Sequence, residues 1–150
     1  MSELKYMKLA LIEASKAADR GDVPVGAVII DSLSGEVLAS SGNCIVTDND
    51  PTAHAEMVVI RETSRKFATP RLMNCDLFVT LEPCPMCATA ISFARIRRLY
   101  FGAYDPKGGG IDHGPRIFKQ TTCHYSPEVV GGVDELEASV LLRNFFQNLR

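Results

Sequence analysis

Apolar residues recur at helical spacing through residues 4–18, where Leu4, Met7, Leu11 and Ala14 form a stripe flanked by Leu9 and Ile12. Gly21 follows as a stop, so an amphipathic first helix is predicted. The spacing then shortens. VGAVIID (25–31) and EVLAS (36–40) are β-prone runs separated by the turn-rich SLSG, the pattern of a hairpin. Helical periodicity returns near Thr52 or Pro51 and directs Met57, Ile60 and the Val58–Val59 pair toward a core. CDLFVTL (75–81) reads as a third strand and residues 84–95 as another helix, with Pro83 and Pro85 in its loop and first turn. RRLYFGAYD (97–105) supplies a fourth strand, and an irregular stretch opens at Lys107 and the glycines 108–110. A last helix, capped by Asp134, carries Leu136, Val140, Leu141, Phe145 and Phe146 to the chain end.

Strands alternating with helices indicate a layered α/β domain. With 150 residues, 46% of them hydrophobic, the chain is expected to form one domain around one substantial core. Charges at Glu3, Lys5, Lys8, Glu13, Lys16, Asp19 and Arg20 break up any apolar signal core, and no other run is long enough to span a membrane. Five cysteines, two of them in a C-x-x-C pair, suit metal or redox chemistry better than a disulfide framework. A cytoplasmic protein without membrane association is therefore expected. The net charge of −2 supplies no overall electrostatic footprint for nucleic acid. Basic residues are nevertheless concentrated at Arg61, Arg65, Lys66, Arg71, Arg95, Arg97, Arg98 and Lys107.

The chemistry concentrates in His54-Ala55-Glu56 and Pro83-Cys84-Pro85-Met86-Cys87, each near the start of an expected helix. Cysteines three apart share a helical face, and thiolates are favoured at a helix N-terminus. His54, Cys84 and Cys87 thus make a three-ligand zinc set with a fourth position left for water. Glu56 stands close enough to serve as general acid and base. A structural zinc half-site or a redox pair is the competing reading of the cysteines. The first normally needs four protein ligands, and the second leaves His54 and Glu56 unexplained. His113, Cys123 and His124 match no metal spacing and read as surface or packing residues, while Cys44 and Cys75 read as small buried ones.

H-x-E followed by P-C-x-x-C resembles the zinc nucleobase deaminases. PVGAVI (24–29), NDPTAHAE (49–56), TLEPCPMC (80–87), FGAYDPKGG (101–109) and LLRNFF (141–146) together resemble the bacterial tRNA-specific adenosine deaminases over nearly the whole chain. The resemblance implies a three-layer α/β/α sandwich around a mixed five-stranded sheet, one zinc ion per chain and a homodimer. The fifth strand would then fall within residues 111–132. It also implies conversion of the wobble adenosine of a tRNA anticodon loop to inosine, hydroxide generated at the zinc attacking C6 while Glu56 shuttles the proton. The same resemblance places Asn43, Ala55, Leu81, Glu82, Pro83 and Asp105 near the substrate. Because NDPTAHAE and EPCPMC also resemble guanine deaminases, a free-base or nucleoside deaminase acting on guanine, cytosine or cytidine is the alternative. A non-catalytic zinc module would leave Glu56 without a purpose.

Overall fold

The computed structural model describes residues 2–149. In chain order the elements are α1 (Ser2–Asp19), β1 (Gly26–Asp31), β2 (Val37–Gly42), α2 (Ala55–Phe67), β3 (Cys75–Leu81), α3 (Pro85–Ala94), β4 (Arg98–Ala103), a 3-10 turn (Ile117–Lys119), β5 (Glu128–Val130) and α4 (Glu135–Asn148). The strands form one sheet in the order β2-β1-β3-β4-β5. β1 runs antiparallel to β2 and β3, whereas β3–β4 and β4–β5 pair in parallel. This is the mixed five-stranded sheet expected, and β5 falls inside residues 111–132.

Alternation along the central strands builds two cores. Ala27, Ile29, Leu77, Val79, Leu99 and Phe101 pack with Val59 and Ile60 of α2 and with Ala88 and Ile91 of α3. Val28, Ile30, Phe78 and Tyr100 face the other way, onto Tyr6, Met7, Ala10 and Leu11 of α1 and Ala138 of α4. Helices cover both faces, so these strands read as nearly continuous apolar runs. α1 lies unusually close to the sheet at Gly26 and Gly42, which are paired across β1 and β2. A Cβ on Gly42 would stand 2.5 Å from the Glu13 carbonyl oxygen, and one on Gly26 would collide with the Ala10 carbonyl.

Several expectations need correction. α2 begins at Ala55, not near Thr52, because Asp50 accepts from both the backbone N–H and the hydroxyl of Thr52 at 2.8 and 2.7 Å. That local turn holds the segment out of the helix. Leu4 and Ile12 are exposed, and the buried stripe of α1 is Tyr6, Met7, Ala10, Leu11, Ala14 and Ala17. Asp134 occupies the first capping position of α4 but makes no side-chain cap, its carboxylate lying 3.3 Å from Lys8 instead. Leu136 and Phe146 of the stripe expected of α4 are 75% and 47% exposed, whereas Leu141 packs half-buried against the core beside the fully buried Ala138. Arg150, to which that helix was expected to run, lies outside the described residues. Cys75 is buried as expected, whereas Cys44 is only half-buried.

Candidate active site

β3 and β4 are parallel, and the loop leaving the C-terminal end of β3 delivers Cys84 to the start of α3. Crevices at strand C-termini are where open α/β sheets bind ligands. Cys84 and His54 each occupy the N-cap position of their helix, α3 and α2, and neither side chain caps it. They turn toward one another instead: His54 Nδ1 lies 3.6 Å from Cys84 Sγ and 3.6 Å from Cys87 Sγ. The three ligand atoms all lie within 4.8 Å of one another, and no other such group occurs among the described residues. Two thiolates and an imidazole at this separation suit zinc, and magnesium or calcium poorly.

Two helix N-termini converge on these sulfurs, bringing positive ends of backbone dipoles toward them. A hydrogen bond from the Cys87 thiol, aided by His54, pushes Cys84 down to about 4 against the opposing effect of burial. Cys87 is correspondingly raised, because it holds the proton offered to Cys84 and is itself buried. His54 is raised chiefly by its contact with Cys84. In the first turn of α2, Glu56 is buried against the same cluster, and desolvation pushes its carboxyl up to about 7. A carboxyl poised between its two protonation states beside a metal-binding cluster is suited to moving protons.

The remaining candidates divide. Asn43 Oδ1 accepts the Ala55 N–H at 2.8 Å, providing from a distant loop the cap that His54 does not give α2. The Asn43 carbonyl accepts from Arg20 at 3.0 Å, and the following loop is held by Asp22, which accepts from the N–H groups of Val46 and Thr47 and the Thr47 hydroxyl. Pro83 gives its carbonyl to the Gly110 N–H at 2.7 Å, and Leu81 is half-buried against the apolar cores. Asp105 Oδ1 is occupied locally by the N–H groups of Lys107 and Gly108.

Glu82 differs most from expectation. Its side chain is 0% exposed, and its oxygens accept from the backbone N–H groups of Asp105, Ile111, Asp112 and His113 and from His113 Nδ1. Burial opposes ionisation, but these hydrogen bonds outweigh it and hold the carboxyl below its ordinary value. Gly109 and Gly110, expected in a flexible loop, are buried instead. A Cβ on Gly110 would stand 2.7 Å from the Pro85 nitrogen. His113, expected to be a surface or packing residue, joins this assembly through a contact with a carboxylate remote in sequence. Three of the clustered cations are also partnered: Arg97 by Asp76, Arg98 by Glu128 and Arg61 by Asp50.

Residues 1–103 match the family described as the cytidine and deoxycytidylate deaminase zinc-binding region. The tRNA-specific adenosine deaminase of Agrobacterium fabrum is 54% identical over 97% of this chain and 94% of its own length. That of Bacillus subtilis is 43% identical over 97% and 89%. A structure solved in studies of A-to-I editing by tRNA:A34 deaminases at the wobble position superposes with a TM-score of 0.89 at 54% identity, covering 92% of this chain and 99% of that one. A guanine deaminase from Nitrosomonas europaea shares the fold, with a TM-score of 0.82 over 95% of this chain and 83% of its own, but at only 21% identity. The chain belongs to the tRNA-specific adenosine deaminases, a family of zinc-dependent hydrolytic deaminases.

Proposed function

We propose that this protein deaminates the wobble adenosine of a tRNA anticodon loop to inosine, in the cytoplasm, with zinc held by His54, Cys84 and Cys87. The observation that carries the reading is the convergence of an imidazole and two thiols within 4.8 Å, beside a buried glutamate, in a chain 54% identical to a tRNA-specific adenosine deaminase. Zinc at this place would supply Lewis acidity, which makes water a nucleophile near neutral pH.

The chain's own groups do the rest. Glu56 takes a proton from the attacking water at its carboxylate and returns protons to the purine ring and the departing amine, so that ammonia leaves and a carbonyl remains at C6. Burial excludes bulk water from that carboxyl and keeps its proton affinity high enough to accept one. Asn43, oriented by the Ala55 N–H donating to its Oδ1, keeps the Nδ2–H groups of its amide to donate to the base. The backbone near Ala55, Leu81 and Pro83 forms the adjoining wall, and Asp105 lies at its rim. An anticodon base is already unpaired, so drawing it into such a pocket costs little.

The functional unit in this reading is a homodimer, supported by Phe93 on the outer face of α3, 76% exposed beside a cavity of about 500 Å³ lined in part by Arg71, Arg95 and His124. Sedimentation of a Phe93→Asp variant tests this assembly, and an unchanged mass removes that face from it. The activity is tested with zinc-loaded protein and its Glu56→Ala variant on an anticodon stem-loop bearing a wobble adenosine, with guanine, adenosine and cytidine in parallel. Inosine formed by the parent and not by the variant is the expected result. Turnover of a free base with an inert stem-loop refutes the RNA substrate and leaves the deaminase chemistry standing.

A further inference from the structure

Among the described residues Glu82 has no arginine or lysine partner, although its side chain is fully buried. Oε2 accepts from the backbone N–H groups of Ile111, Asp112 and His113 at 3.2, 3.0 and 3.2 Å, and Oε1 from the Asp105 N–H at 3.0 Å and His113 Nδ1 at 2.8 Å. Five N–H donors on two oxygens leave no place for a carboxyl proton, so the carboxylate acts only as acceptor and the imidazole must donate through Nδ1. The His113 ring is the one side-chain donor in this set, and it stands at 77° to the Tyr104 ring with 6.2 Å between centroids, Tyr104 in turn packing against Phe101. The same loop is tied to the metal-site loop by the Gly110 N–H donating to the Pro83 carbonyl, one residue before Cys84.

We propose that His113 is a positioning residue that closes a clamp with Glu82, fixing the 105–113 loop and its Asp105 against the wall of the active site. The imidazole does not touch the reacting atoms. It supplies the one side-chain donor to a buried carboxylate that gathers four backbone amides, so the loop presents one shape to the incoming nucleic acid in place of many. Its effect on catalysis rests on the RNA-deaminase reading given above, whereas its effect on the loop does not.

The test compares zinc-loaded wild type with His113→Ala, His113→Asn and His113→Gln, measuring zinc content, hydrogen exchange and stem-loop deamination. The asparagine amide can put a donor near the place of Nδ1, whereas that of glutamine lies one methylene farther out. In His113→Ala the amides of Asp105, Ile111 and Asp112 should exchange about tenfold faster or more, and KM for the stem-loop should rise about tenfold with kcat within about twofold. His113→Asn should restore both, His113→Gln should follow alanine, and all should keep one zinc per chain. Unchanged exchange in His113→Ala overturns the clamp, as does His113→Asn behaving like alanine. Restored exchange in asparagine together with a wild type inert on RNA supports the clamp and refutes the substrate reading.

Discussion

Asp22 lies outside the metal site, yet it holds the loop that follows Asn43. It is buried, and it accepts from the Val46 N–H at 2.8 Å, the Thr47 N–H at 3.3 Å and the Thr47 hydroxyl at 2.8 Å. Replacing Asp22 with alanine removes all three contacts at once. Hydrogen bonds to a charged group contribute about 1.5–3 kcal/mol each, but this loop is partly exposed and water can recover some of the loss, so the net cost should be about 2–3 kcal/mol. Urea unfolding of the zinc-loaded protein measures it as a lower midpoint at unchanged slope, with zinc held constant because it stabilises the folded state.

The pH dependence has a definite sign. Burial raises the Asp22 pKa, but the Val46 and Thr47 hydrogen bonds outweigh it and hold the carboxyl below its ordinary value of 3.8. A depressed folded pKa adds stability above the unfolded value and loses it as the pH falls through the folded one. The gap between wild type and Asp22→Asn should therefore be full near neutrality and close progressively below 3.8. A cost under about 0.5 kcal/mol for Asp22→Ala, the size of an ordinary surface substitution, would refute this account. So would a gap to Asp22→Asn that stays constant through the acid range.

Glu56→Gln should retain one zinc per chain by metal analysis while deamination falls by at least about a hundredfold, since an amide cannot carry the proton. Cys87→Ala should lose both metal and activity, and the melting temperatures of parent and variant should converge after chelation. Gly110→Ala places a methyl 2.7 Å from the Pro85 nitrogen and 3.0 Å from the Cys84 carbonyl carbon. Overpacking of this kind costs about 1–3 kcal/mol, and because the strain falls on the metal-site loop, competition with a chelator should show weakened zinc retention. Equal retention in parent and variant would mean that the loop yields without moving Cys84.

The local chemistry was written in the chain. Buried strands announced themselves as apolar runs, and the hairpin and the candidate metal ligands followed from turn residues and spacing that need only short-range geometry. His54, Glu56, Cys84 and Cys87 could be read together because each side chain leaves the first turn of a helix or its cap, a position the sequence marks with prolines and polar residues. Tertiary structure decided what depended on partners distant along the chain. It placed β5, a three-residue strand with all its residues exposed, beside β4. It also turned Asn43 into the cap of α2, across a separation no local pattern encodes. Glycines 109 and 110 looked like freedom in one dimension, but they are close-packed because the Glu82 carboxylate and the Cys84–Pro85 backbone occupy the space a side chain would need. A buried carboxylate must find donors wherever the fold brings them, and only the folded chain brought His113 to Glu82.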